Sequence, residues 1–184
     1  MDLEKLSKCG RMLSYKKDDI VCLEGQPGHT AYLILKGNVN VKVGSFKDKA
    51  KIVATIGAGS LFGEMSLLED APRSATVMAV ADGTVVLEIG KNDFLTLMRT
   101  DTELAYNLLR TLASRTEESM SKHQGYMVAF NAEIRRNPMY NQIKNLSLPQ
   151  FVEIVAQDEE YALKMLKYLS HTLTQIDNKV ATIG

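Results

Sequence analysis

The chain has no surplus of charge, no long apolar run, almost no cysteine and, between residues 126 and 183, no glycine. Its 22 Lys and Arg are matched by 22 Asp and Glu, and the sequence pI is about 6.8. A general nucleic-acid binder would show a basic excess, so that class is not expected. No stretch reaches 18 apolar residues, which argues against a transmembrane helix and a membrane partner. The opening MDLEKLSKCG is charged and has no apolar stretch, so no signal peptide is expected. The two cysteines, Cys9 and Cys22, have neither metal-ligand nor redox spacing. They read as reduced thiols, which suits a cytoplasmic protein. His29, His123 and His171 are scattered, and none is assigned to a metal. With no nucleophile motif and no paired acid and base, the chain is not expected to be an enzyme.

Apolar residues make up 45% of the 184, enough for one domain and an appendage. From Asp19 to Ile89 the pattern is β. The segments IVCLE, AYLILKG, NVNVKVG, KIVATIG, SATVMAV and TVVLEIG are short, alternating and rich in Val and Ile. Gly25, Gly28, Gly37, Gly44, Gly57, Gly59 and Gly83 punctuate them, as in a sandwich, barrel or roll. Asn38 after Gly37, between two strand-like runs, predicts a hairpin turn. A short helix is expected over residues 2–9. After Gly90 the period becomes helical. Asp93 starts a short helix through Met98, and Asp101 or Thr102 caps a longer one with apolar Leu104, Ala105, Leu108, Leu109 and Leu112.

The run FGEMSLLEDAPRSATV, residues 62 to 77, carries the most information. It sets Gly63 and Glu64 ahead of Arg73, with a short apolar stretch between and Pro72 just before the arginine. A lone Gly-Glu pair is usually a turn, and a lone arginine is usually solvated. What matters is that all of these residues keep their spacing together. At full length and without a gap, the run resembles the phosphate-binding cassette of cyclic nucleotide-binding domains. The resemblance covers roughly residues 5 to 122. One departure is Ala58, where the family commonly has proline.

The resemblance implies an α+β fold: an eight-stranded antiparallel β-roll (a jelly-roll) with flanking helices, here followed by a C-terminal helical extension. It implies a site for a cyclic mononucleotide, cAMP rather than cGMP because Ser74 follows the arginine. An anion wants backbone N–H groups at a helix start and a guanidinium. Gly63 permits close backbone approach, the first turn of Glu64–Leu68 offers N–H groups, and Arg73 supplies a fork of donors. The family role implied for Glu64 is to hold the ribose 2′-hydroxyl, and for Ser66 to offer a backbone N–H. Met65, Ser74 and Ala75 complete the expected ligand-binding set. Ser119 and Met120 are candidates for base contact. No cofactor or metal is expected beyond the nucleotide.

Residues 94 to 113 align without gaps to residues 151 to 170 at an offset of 57, with six of twenty positions identical. The C-terminal region thus looks like a second copy of the closing helix pair without a second roll, although two amphipathic helices with similar caps would also align. Ala162, Leu166, Leu169, Leu173, Ile176 and Val180 alternate four and three apart, as in a coiled-coil seam, and a face packed within its own chain would look the same. The expected organisation is a nucleotide-binding domain over 1–122, a linker with a short helix over 123–147, and a helical hairpin or coiled-coil-like extension over 148–184. A homodimer is expected through helices 102–122, 160–180 or both. Two alternatives to a self-contained sensor are a catabolite-activator-like transcription regulator and a regulatory or scaffold subunit docking a partner protein through its C-terminal helices. The first would need a glycine turn and a basic recognition helix. Residues 126–183 contain no glycine, and residues 123–184 carry six basic and six acidic side chains.

Overall fold

The computed structural model describes residues 9–44, 51–125 and 127–183, with side chains to residue 180. The helix expected over residues 2–9 falls almost wholly outside the described residues. The chain divides into two compact units, residues 1–94 and 95–184.

Among the described residues the first unit contains eight short strands: β1 (Arg11–Tyr15), β2 (Ile20–Cys22), β3 (Thr30–Lys36), β4 (Asn38–Val43), β5 (Lys51–Gly57), β6 (Leu61–Phe62), β7 (Thr76–Ala79) and β8 (Thr84–Gly90). They form two four-stranded sheets, ordered β1-β8-β3-β6 and β2-β7-β4-β5, and every pairing is antiparallel. This is the expected β-roll. Alternation along the strands supplies its core: Tyr32, Ile34 and Val86 from one sheet meet Val39 and Val77 from the other, with Cys22 and Phe62 among them. A single short helix, α1 (Glu64–Glu69), interrupts the strands between β6 and β7.

The hairpin predicted at Gly37 and Asn38 is not formed. β3 and β4 belong to different sheets and do not pair with each other. Only Gly37 separates them, and a two-residue hairpin loop needs two residues. With φ +83, Gly37 turns the chain from one sheet into the other, and a Cβ there would lie 2.8 Å from Thr84 Oγ1. The hairpin on this side of the roll is instead β4 with β5, registered from Asn38 opposite Gly57 to Val43 opposite Lys51.

The remaining helices are α2 (Lys91–Thr100), α3 (Thr102–Lys122), α4 (Val128–Arg136), α5 (Pro138–Asn145), α6 (Leu148–Gln157) and α7 (Glu159–Ile183). The unit boundary falls inside α2. Asp101 caps α3, accepting from Leu104 N at 3.0 Å. The stretch read as a linker holds two helices, α4 and α5. Asn137 starts α5 by accepting from Met139 N at 2.9 Å, with Pro138 in the first turn. At the head of α6, Gln150 Oε1 accepts from both the N–H and the hydroxyl of Ser147, at 3.0 and 2.7 Å.

Within this unit α7 packs along α3 and also against α5 and α6. The two apolar stripes on which a homodimer was expected are therefore buried in the single chain. Leu109, Leu112, Leu166 and Leu169 are each 0% exposed. Among the described residues no helix is long and apolar enough to cross a membrane.

Leu112→Ala and Leu169→Ala occupy equivalent, fully buried positions on α3 and α7, and each is expected to cost ~2–5 kcal/mol of stability. Urea unfolding checks this, and a loss under 1 kcal/mol at either position would mean that its helix is not packed as described.

Candidate functional site

The site begins where β6 ends. Gly63 adopts φ +74 and ψ 3, a left-handed conformation that turns the strand into α1. Nearly all of this short helix is buried: Glu64 is 2% exposed and Ser66 3%, alongside Met65, Leu67 and Leu68. Asp70 closes it, again left-handed at φ +50, and donates its N–H to Ser66 O. The Asp70 carboxylate also forms an ion pair with Lys91.

The chain then returns beside the loop between β2 and β3. Arg73 N donates to Gln26 O and Gly25 N donates to Arg73 O, both at 2.8 Å, and Pro27 bridges Pro72. These contacts hold the Arg73 backbone from a distant part of the sequence. Its side chain points inward and is 6% exposed. Nη1 donates to Gly63 O at 2.9 Å and Nη2 to Thr30 Oγ1 at 3.0 Å. The guanidinium carbon lies 5.3 Å from the centre of the Tyr32 ring. Tyr32 is fixed in turn, stacked on Phe62 at 5.1 Å and donating its hydroxyl to Glu88 Oε1 at 3.3 Å.

The electrostatics of the site follow from this burial. A guanidinium carries five N–H donors and cannot lose its charge inside a protein. Among the described residues, Arg73 gives two donors to neutral oxygens, and no carboxylate lies within ion-pair distance. The pocket thus keeps a buried positive charge with donors to spare. Burial pushes the nearby Cys22 thiol above its usual value, and the Arg73 charge works against that rise. The Tyr32 phenol is raised mainly by burial. Among the described residues no group of three or more His, Cys, Asp or Glu side chains is placed to hold a metal.

The structure gathers Glu64, Met65, Ser66 and Arg73 in one buried cluster with half-buried Gly63 beside them, and Ser74 is exposed and Ala75 half-buried in the bend that leads into β7. Ser119 and Met120 stand in the second compact unit, on α3. Ser119 is half-buried, and its carbonyl accepts from His123 N at 3.3 Å. Met120 is 0% exposed, and its carbonyl accepts from Asn131 Nδ2 at 3.1 Å.

Three residues escaped the sequence reading. Thr30 and Tyr32 position the arginine, and as β3 residues they looked like ordinary strand positions. Gly28 was read only as turn punctuation. A Cβ on it would lie 2.4 Å from Ser66 Cβ and 3.0 Å from Arg73 Nε, so close approach excludes any side chain there. Two glycines closing on one arginine from separate loops was the available signal.

Comparison with known proteins places the chain among relatives. Residues 12–101 match the family model described as the cyclic nucleotide-binding domain. The cyclic AMP receptor protein of Thermus thermophilus is 35% identical over 105 residues, covering 57% of this chain and 48% of that protein. A cAMP-dependent protein kinase regulatory subunit from Hypocrea atroviridis is 35% identical over 94 residues, covering 51% of this chain and 19% of that one. The chain thus spans about half the length of the receptor protein and about a fifth of the kinase subunit. The crystal structure of Thermus thermophilus catabolite activator protein shares the fold, with TM-score 0.58 and 24% identity over 99% of this chain and 83% of that one.

Gly63→Ala and Gly59→Ala separate backbone strain from crowding of the arginine. Both glycines have positive φ, but a Cβ on Gly63 would lie 2.6 Å from Arg73 Nη1, whereas one on Gly59 has nothing within 4 Å. Gly59→Ala is expected to cost ~1–2 kcal/mol from the left-handed conformation alone. Gly63→Ala is expected to cost more, and equal losses in chemical denaturation would mean that the guanidinium does not sit against Gly63.

Proposed function

Residues 12–101 belong to the cyclic nucleotide-binding domain family, and from that premise we propose that the protein is a sensor of a cyclic mononucleotide, cAMP in preference to cGMP. The reading is carried by Arg73, a buried cation with spare donors and no carboxylate partner among the described residues. Burying an uncompensated charge costs several kcal/mol, and an anion seated beside it recovers much of that cost. A cyclic phosphate has one negative charge and two free oxygens, which suits the planar fork of a single guanidinium. N–H groups of the first turn of α1 complete the seat.

Glu64 has a different role. A carboxylate would repel the phosphate, so it serves as acceptor for the ribose 2′-hydroxyl. Its burial at 2% keeps it with the buried residues of α1. Gly28 and Gly63 keep the space around the phosphate free of side chains. The hydroxyl of Ser74, next along the chain, and the cAMP named in the two relatives support the choice of base.

The output runs through the helices after the roll. Binding energy drives a helix rearrangement only where the ligand prefers one arrangement over another. Ser119 and Met120, the candidates for base contact, lie on α3 in the second unit, where Met120 is fully buried. The homodimer foreseen through α3 and α7 belongs to this reading only if surfaces outside their shared seam supply it. A second reading, a regulatory subunit with a protein partner, is favoured by the exposed Leu148 and Val152 one turn apart on α6. A cytoplasmic location goes with either reading, since both cysteines are thiols.

Calorimetric titration with cAMP and cGMP tests the sensor, with saturable cAMP binding expected. Absence of binding by both nucleotides would sink the proposal. Arg73→Ala is expected to weaken cAMP by about ten- to hundred-fold, ~1.5–3 kcal/mol for a charged hydrogen-bond partner. Glu64→Ala is expected to weaken cAMP more than its 2′-deoxy analogue, and equal losses for the two ligands would remove Glu64 from the ribose.

A further inference from the structure

The sequence repeat returns as a repeat of structure. α2 runs from Lys91 to Thr100, Asp101 stands alone, and α3 starts at Thr102. α6 runs from Leu148 to Gln157, Asp158 stands alone, and α7 starts at Glu159. Each of these bounds is displaced by the same 57 residues as the alignment. The joints are built alike. Asp101 N donates to Leu97 O at 2.8 Å, and Asp158 N to Ile154 O at 3.0 Å. Each aspartate then caps the long helix with Oδ1, at 3.0 Å from Leu104 N and from Glu160 N respectively. Two unrelated amphipathic helices would share a stripe, but not a ten-residue short helix, a one-residue aspartate joint and a cap from its Oδ1.

The long helices of the two copies lie along each other and run parallel. Just ahead of α3, Arg99 Nε at the end of α2 meets Glu160 Oε1 at the start of α7, at 2.7 Å. Toward their ends Asp177 lies in the field of Arg115 and His123. Equivalent positions are buried alike: Ala105 and Ala162, Leu109 and Leu166, Leu112 and Leu169 are all 0% exposed. Parallel helices whose equivalent residues, four and three apart, fill one seam have the pattern of a two-stranded coiled coil of identical chains.

We propose that α6–α7 is a built-in second copy of α2–α3 that pairs with it in cis, closing within one chain a seam that would otherwise join two, so that the protein is a monomer. The two copies differ where that choice is made. Beyond Leu112 the α3 stripe turns polar at Thr116 and Ser119, whereas the equivalent α7 positions are Leu173 and Ile176. Pairing α3 with a second α3 would set Thr116 against Thr116; pairing it with α7 offers Leu173, 3% exposed, instead. The lone hydroxyl is satisfied locally, Thr116 Oγ1 donating to Leu112 O at 2.8 Å. The connecting helices hold the arrangement, since Tyr106 Oη donates to Leu146 O at 3.0 Å and Arg110 Nη1 to Lys144 O at 3.1 Å. None of this depends on which ligand the first unit binds.

Two measurements on the full chain test the proposal. Light scattering of the unaltered protein at micromolar concentration is expected to give the mass of one chain, 20.4 kDa; twice that mass overturns it. Ala105→Cys with Ala162→Cys, oxidised and mapped by mass spectrometry, is expected to give a disulfide within one chain. A link between chains, or no link at this pair, overturns the proposal. Ala105→Cys with Leu173→Cys is the register control: eleven residues further along, about 16 Å on a helix, it is expected to stay unlinked. Equal linking of both pairs would mean that the helices have no fixed register, and would also overturn it.

Discussion

The first unit is organised around a charge that finds no carboxylate partner among the described residues. Arg73 is buried, it cannot be deprotonated, and among the described residues its partners are neutral oxygens and the face of a ring. Much of the local structure serves to keep it there. Gly63 must be left-handed so that its carbonyl faces the guanidinium, Gly28 must lack a side chain, and the neighbouring 25–27 loop must clip the arginine backbone. Tyr32 is held by Phe62 and Glu88. A fold can sustain such a charge only if the rest of the roll is stable enough to carry the cost, and the two tightly packed sheets provide that stability.

The local signals were legible in the sequence and the distant ones were not. Alternation of Val and Ile marked the strands, and the change of period after Gly90 marked the helices. The spacing from Gly63 to Arg73 placed the cluster, because those residues are close in sequence. Thr30 and Tyr32 reach the same arginine across more than forty positions, and nothing in a strand-like TAYLILK says which alternate residue will meet it. The turn at Gly37 was misread for a related reason. Glycine followed by asparagine gives the same local signal whether the chain doubles back or passes to the facing sheet, and only the pairing partners, β8 for β3 and β7 for β4, decide between them. The helices α4 and α5 were understated as a linker because each is short; α5 packs on α3 and α7, and α4 packs on α5.

The second unit has a different logic from the first. It depends less on one residue than on a pattern used twice. Asp101 and Asp158 solve the same problem, starting a long helix one residue after a short one ends. The differences between the copies, Thr116 against Leu173 and Ser119 against Ile176, fall at the far end of the long helices. One copy therefore keeps polar groups where the other completes an apolar stripe.

Pairing of α3 with α7 inside one chain has a consequence for how such a molecule responds to dilution. A seam between two chains forms by a bimolecular step, and its occupancy falls as the protein becomes scarce. A seam between two segments of one chain forms at a fixed effective concentration set by the connecting residues. Its state is the same whether the cell holds ten copies or ten thousand. A change transmitted through that helix pair would then be graded only by the signal that reaches it, and not by how much of the protein has been made.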